Sequence, residues 1–214
     1  DTSVSRGLGD VYKRQHYLML YNENQQQPAK PDGCDEGIVK GAYKLQESKK
    51  SDFGHVRILG SGPILQYARE AASFLESEFE ISSEVWSVTS YGELRREGME
   101  SERQNRLNPQ SQKSAYVSDC FGDDTPTIAV SDYIVAVPEM IQRWVGGRFT
   151  VLGTDGFGRS DTREELRRFF EIDTKSIVLA ALSTLEREGT LKEGTVKEQS
   201  EKMGISRIRE DKAA

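Results

Sequence analysis

The sequence predicts an α/β fold: a doubly wound, mostly parallel sheet with helices on both faces. Three observations carry that expectation. From about residue 55 onward, short apolar segments rich in Val and Ile alternate with longer segments of helical apolar spacing. Glycines stand at the ends of predicted strands, at 60–62 and again from 153. The 214 residues are 36% hydrophobic and 30% charged, enough for one substantial domain or one domain plus a piece of another.

Taken in order, His16–Tyr21 is apolar and aromatic and reads as the end of a buried element. The next stretch, NENQQQPAKPDG, is polar, carries two prolines and a glycine, and reads as an extended linker. Residues 36–45, EGIVKGAYKL, set Ile38 and Val39 close to Tyr43 and Leu45 and predict a short strand, after which SKKSDFG makes a charged turn. HVRILGSG (55–62) predicts a strand ending in glycines. Residues 63–79 carry Leu65, Ala68, Ala72, Leu75 and Phe79 at helical spacing, with Pro63 tolerated in the first turn. EVWSVTS (84–90) alternates as a strand, and the segment from Tyr91 to Leu107 predicts a helix running into polar loop. A strand at 125–133 precedes a helix at 134–145, in which Pro138 predicts a kink or a late start. A further strand is expected at 148–154, then helices at 162–170, 174–189 and 194–204. Such alternation implies right-handed crossovers and a sheet covered on both sides.

The formal net charge of −6 argues against a nucleic-acid footprint, which needs a clustered basic surface. No apolar run approaches the ~20 residues that cross a bilayer. Cys34 and Cys120 lack CxxC spacing and read as free thiols of a reducing compartment. His16 and His55 stand near no cysteine or second histidine, so a zinc site is not expected.

Four motifs bear on chemistry. The GSG at 60–62 comes after a strand and precedes a helix, as a dinucleotide loop would, but the third glycine of GxGxxG would fall at Leu65. No acidic residue ends the next strand, and a tight strand-to-helix turn is the simpler reading. The GDD at 122–124 lacks the downstream asparagines of a thiamine diphosphate and Mg²⁺ motif. Glu97, Glu100 and Glu102 read as a solvated face. The fourth motif, LGTDGFGRSDTREELRRFF (152–170), could cradle an anion at its helix start, yet Asp155 and Asp161 would repel one.

That last segment therefore reads as a structural loop made of Gly153, Asp155, Gly156, Phe157, Gly158, Ser160 and Asp161. Phe157, between two glycines, is expected to turn inward as a buried plug. Asp161 or Thr162 can begin a capping box with Glu164 or Glu165, and Glu164 with Arg168 forms an i,i+4 pair. Leu166, Phe169 and Phe170 share a face expected to pack on the sheet, and Arg159 is expected to be non-catalytic.

Residues 1–15, DTSVSRGLGDVYKRQ, show no periodicity. Ser5–Gln15 resembles the one-frame translation of a common transposon-end sequencing adapter. The head is accordingly expected to be foreign and disordered, with the natural chain continuing upstream of His16.

The segments NEN (22–24), GIVKGAYKL, ILGSGPIL, REAA, VWSVTSYGEL, SDY and VLGTDGFGRSD…LRRFFEID together resemble the C-terminal end of bacterial homodimeric pyruvate dehydrogenases. These are the decarboxylating first components of the pyruvate dehydrogenase complex. The resemblance runs from about His16 to Gly189, and LGTDGFGRSD is its most specific part. A fainter similarity to transketolase C-terminal domains accompanies it. The resemblance implies that 16–35 is the end of the middle domain with a linker, and 36–214 a transketolase-like C-terminal domain.

It further implies an enzyme in which thiamine diphosphate attacks pyruvate, carbon dioxide leaves, and the acetyl group passes to a lipoyl group of the acyltransferase component. Thiamine diphosphate and Mg²⁺ would be held by N-terminal and middle domains that this chain lacks. The implied partners are those domains, a second subunit in a homodimer and the lipoyl acyltransferase, with no nucleic acid and no membrane, in the cytoplasm. No catalytic, cofactor-binding or metal residue carries over, and the chain alone is expected to be inactive. Two other classes stay open: a free-standing α/β interaction or regulatory module, and a small nucleotide-binding protein.

Overall fold

The computed structural model describes residues 24–25, 27–47 and 51–205. The adapter-like head and the apolar segment 16–21 lie outside them. Among the described residues five strands form one sheet: β1 (Ala42–Gln46), β2 (His55–Gly60), β3 (Ser82–Val88), β4 (Thr127–Val130) and β5 (Phe149–Leu152). Their order is β1-β3-β2-β4-β5. Four run parallel, and β1 lies antiparallel to β3 at the edge. The helices are α1 (Asp35–Lys40), α2 (Leu65–Phe79), α3 (Tyr91–Leu107), α4 (Tyr116–Phe121), α5 (Ala136–Glu139), α6 (Arg163–Phe169), α7 (Thr174–Arg187) and α8 (Thr195–Met203). The fold is α/β, with a mixed, mostly parallel sheet and helices on both faces.

Strand periodicity explains the two layers. On β2, Val56 and Ile58 enter one apolar cluster with Ala68, Ala72 and Leu75 of α2 and Ile177 and Leu182 of α7. Leu59 points the other way, into a cluster with Leu94 of α3 and Val117 and Phe121 of α4. β3 is buried on both faces throughout, so its polar–apolar alternation marks buried polar partners rather than a solvated side. The α2 face matches the sequence spacing, and a short 3₁₀ turn at Gly62–Ile64 carries Pro63 ahead of the helix.

Three elements depart from expectation. Residues 36–45 split into α1 and β1 rather than one strand. Lys40 pairs with Glu36 at 2.7 Å one turn apart, and Gly41, at φ 108°, ends the helix and turns the chain into β1. Part of the polar loop after α3 is helical: Val117 and Phe121, four residues apart, bury into the second cluster and form α4. Pro138 sits inside the short α5, and a separate 3₁₀ turn at Gln142–Trp144 comes after it, so the expected twelve-residue helix is broken into two short pieces.

Candidate functional site at the carboxyl end of the sheet

In an open α/β sheet the crevice outside the carboxyl ends of the strands, where the winding reverses, is where ligands bind. Here that point lies between β2 and β4. It is closed by a hydrogen bond: Ser61 Oγ donates to Ser131 Oγ at 2.9 Å, and both serines are buried. Ser131 Oγ also accepts from the Tyr133 amide at 3.1 Å. The GSG turn has a packing reason. A Cβ on Gly60 would stand 2.9 Å from Leu65 Cα and 3.0 Å from Ala68 Cβ, so the first glycine lets α2 close on β2. That supports the tight-turn reading of the motif.

The 153–161 loop leaves β5 beside the loop that leaves β4, and the two are tied together. Asp155 Oδ1 accepts from the Val135 amide at 3.0 Å. The Thr154 amide donates to Tyr133 O, and Thr154 Oγ1 to Asp132 O, each at 2.9 Å. Gly153 is a close-approach position: a Cβ there would lie 2.7 Å from Tyr133 O. Thr162, not Asp161, caps α6, accepting from the Glu165 amide at 3.3 Å, while Asp161 Oδ1 accepts from the Thr162 amide at 2.7 Å.

The expected plug is absent from the core: Phe157 is 95% exposed. Beyond Leu152 the sheet has ended, and a Cβ on Gly156 or Gly158 would meet nothing within 4 Å. An inward turn there has no layer to turn into. The loop is instead seated by Arg159, whose guanidinium lies 4.0 Å from the centre of the Phe169 ring. Phe169 meets Phe170 edge-on at 5.1 Å, and Phe170 packs on the first core cluster. No residue of α6 is fully buried, so the Leu166–Phe169–Phe170 face meets the domain only partly; Arg167 holds the helix to α2 through the Tyr67 hydroxyl. Arg168 pairs with Glu165, three residues before it, rather than with Glu164. Ser160 is exposed.

The buried charges lie toward the amino ends of the strands. Arg57 on β2, 3% exposed, pairs with Glu84 on β3 and reaches Asp123 at 2.8 Å; Lys44 on β1 completes the row to Glu84 at 2.8 Å. Burial would raise the Glu84 carboxyl, but the Lys44 hydrogen bond and the Arg57 charge outweigh it and hold Glu84 below the usual range. Asp123 is held low in the same way, by Arg57 and Thr125 against burial. The GDD therefore does structural work. Asp123 is committed to Arg57 and Thr125, and a Cβ on Gly122 would meet Ser118 O at 2.5 Å. Sequence reading missed Arg57 altogether, because its partners stand 27 and 66 residues away.

Two members of the acidic run are not merely solvated. Glu97 accepts from the Tyr116 amide at 2.9 Å, at the start of α4, and Glu102 binds Arg143 at 2.8 Å. Glu100 stays exposed. Beside the edge strand, Cys34, Gly37, Tyr43, Lys44, Trp86 and Tyr116 line a cavity of about 340 Å³. Cys34 and Cys120 are free thiols, and burial pushes Cys120 upward. Among the described residues no group of three or more His, Cys, Asp or Glu could hold a metal ion, and no helix is long and apolar enough to cross a membrane.

The domain is thus a doubly wound α/β sheet with a glycine-rich loop before a late helix. Residues 41–173 match the family profile described as the transketolase-like TK C-terminal domain, and the chain belongs to that family. Among curated relatives, it is 49% identical over 193 residues to the "Pyruvate dehydrogenase E1 component" of Pseudomonas aeruginosa, covering 89% of this chain and 22% of that protein. The protein of the same name from Escherichia coli K12 is 42% identical over 192 residues, covering 89% of this chain and 21% of the relative. The chain thus spans about a fifth of the length of the relatives it matches. Among solved structures, a transketolase from Leishmania mexicana aligns with a TM-score of 0.49 at 21% identity, covering 73% of this chain and 20% of the other.

Proposed function

We propose that this chain is the carboxyl-terminal part of a thiamine-diphosphate-dependent pyruvate dehydrogenase (acetyl-transferring). The whole enzyme would decarboxylate pyruvate and reductively acetylate lipoyl groups on the acyltransferase component, working as a cytoplasmic homodimer. The observation that carries the reading is 49% identity along 89% of the chain to a pyruvate dehydrogenase E1 component. Thiamine diphosphate and Mg²⁺ belong, in this reading, to the remaining four-fifths of the polypeptide. Residues 36–214 form the domain proper, and 16–35 join it to the middle domain.

The role of the domain itself is to support the fold and the dimer. Its groups best suited to chemistry are committed to holding elements together: Asp123 and Glu84 to Arg57, Glu97 to α4, Asp155 to Val135. The loop Gly153, Asp155, Gly156, Phe157, Gly158, Ser160 and Asp161 is structural in this reading. Replacing the matching segment of the Pseudomonas aeruginosa relative with this chain tests it. The chimera should transfer acetyl groups from pyruvate to lipoyl groups, and the chain alone, given thiamine diphosphate and Mg²⁺, should decarboxylate no pyruvate above a buffer blank. An inactive chimera, or an active lone chain, overturns the reading.

A further inference from the structure

The cavity beside the edge strand joins aromatic surface to charge. At about 340 Å³ it lies at the small end of the roughly 300–1,000 Å³ typical of small-molecule pockets. Tyr43, Trp86 and Tyr116 line it together with Asp32, Glu36 and Lys44. Most of these groups are matched within the chain. Lys44 binds Glu84 at 2.8 Å and Glu47 at 3.3 Å, and Lys40 binds Glu36 at 2.7 Å. The same two ammonium groups lie over rings. Lys40 stands 4.8 Å from the centre of the Tyr116 ring, and Lys44 stands 5.4 Å from that of Trp86. The Tyr116 hydroxyl donates to Ala42 O at 2.8 Å.

Three lining groups are left unmatched. Among the described residues no cation stands over the Tyr43 ring, and Asp32 has no ion pair, its neighbour Lys30 being held by Asp35 at 2.7 Å. Trp86 is 8% exposed, and its indole N–H is buried without an acceptor. Buried donors in native proteins are nearly always paired, so this one asks for a partner. A ring face and a carboxylate both attract positive charge, whereas an indole N–H needs a lone pair. We infer that the cavity binds a small organic cation that also carries an oxygen acceptor, as an amino alcohol does. An anion fits poorly: Lys44, the one cation among the lining residues, is already shared by two carboxylates, and Asp32 and Glu36 repel negative charge. A wholly apolar guest would cover the Asp32 carboxylate without a counter-charge and leave the Trp86 N–H unmet.

Choline is the probe, titrated into the nitrogen-15-labelled chain at constant ionic strength. The chain has two tryptophans, so two indole N–H signals report. The Trp86 signal should move saturably while that of Trp144 stays in place. Tyr43→Leu, which keeps an apolar side chain, should weaken choline about fivefold, the weight of one cation–π contact. Asp32→Asn, at an exposed position, should weaken it about threefold. Tetramethylammonium has the charge but no oxygen, and should bind more weakly than choline and move the Trp86 N–H less. Benzoate, an anion with a ring, should not bind. The absence of a saturable change with choline overturns the inference. So does binding of tetramethylammonium or benzoate as tight as that of choline, or unaltered choline affinity in both variants.

Discussion

Arg57 and Glu84 face each other from adjacent parallel strands, paired in register and both more than nine-tenths buried. Their pairing holds the Glu84 carboxyl below its ordinary range, so its contribution to stability has a definite pH dependence. A carboxylate whose folded pKa is depressed stabilises fully above its unfolded value, about 4.3 for Glu. That contribution is lost as pH falls through the lower folded value. Unfolding of the chain by urea should therefore show stability dropping as the solution is acidified below about pH 4.3. Glu84→Gln should be less stable at neutral pH and should lose less on acidification. Glu84→Ala, which leaves Arg57 buried without its main partner, should cost about 3–5 kcal/mol at pH 7. An acid limb unchanged in Glu84→Gln would show that the pair does not govern it.

Gly98 lies on the buried face of α3 against Trp144 of the 3₁₀ turn, and a Cβ there would stand 2.7 Å from the indole Cε2. In an exposed helix Gly→Ala stabilises by roughly 0.5–1 kcal/mol. Here the added methyl must displace a ring nine-tenths buried, and overpacking costs about 1–3 kcal/mol. Gly98→Ala should lower the melting temperature, with a change in the near-ultraviolet circular dichroism of Trp144. A raised melting temperature would mean that the indole moves aside without penalty.

These two sites mark what the sequence could and could not show. Helix α2 was legible because Leu65, Ala68, Ala72 and Leu75 repeat at helical spacing, and the start of α6 because Thr162 stands three residues before Glu165. Those signals are local. Arg57 was not legible: a charged residue within an apolar strand gains its meaning from Glu84 and Asp123, which only the fold brings near. The strand expected at 36–45 formed only from Ala42 onward, for a related reason. Ile38 and Val39 favour a strand locally, but the Glu36–Lys40 pair and the left-handed Gly41 close a helix, and Val39 ends 77% exposed. Phe157 misled because an apolar side chain between glycines signals a turn without saying whether a layer lies beneath it.

Asp155 is exposed, yet it accepts the amide that opens the turn into α5. A carboxylate on a backbone N–H is a charge-assisted bond, and solvent at this position reduces its worth to about 1 kcal/mol. Asp155→Ala should cost about that much, with faster hydrogen exchange confined to Val135 and its neighbours. Asp155→Asn retains an acceptor and should recover most of the loss. Loss of stability spread through β4 and β5 would indicate a wider role for the carboxylate.

Phe157, Arg159 and Phe170 separate what presents the loop from what seats it. Phe157 touches solvent, so in this chain Phe157→Ala should change stability by no more than about 0.5 kcal/mol. Arg159→Ala removes a guanidinium stacked 4.0 Å from the Phe169 ring centre, a partly exposed contact of about 0.5–1 kcal/mol. Phe170 packs against the core cluster that includes Ile172 and Ile177 while remaining partly exposed, so Phe170→Ala should cost about 2 kcal/mol, below the range for a fully buried ring. The order Phe170 > Arg159 > Phe157 is what urea unfolding of the three variants should return. A Phe157→Ala cost equal to that of Phe170→Ala would mean the ring is buried in solution. The outward loop would then be wrong.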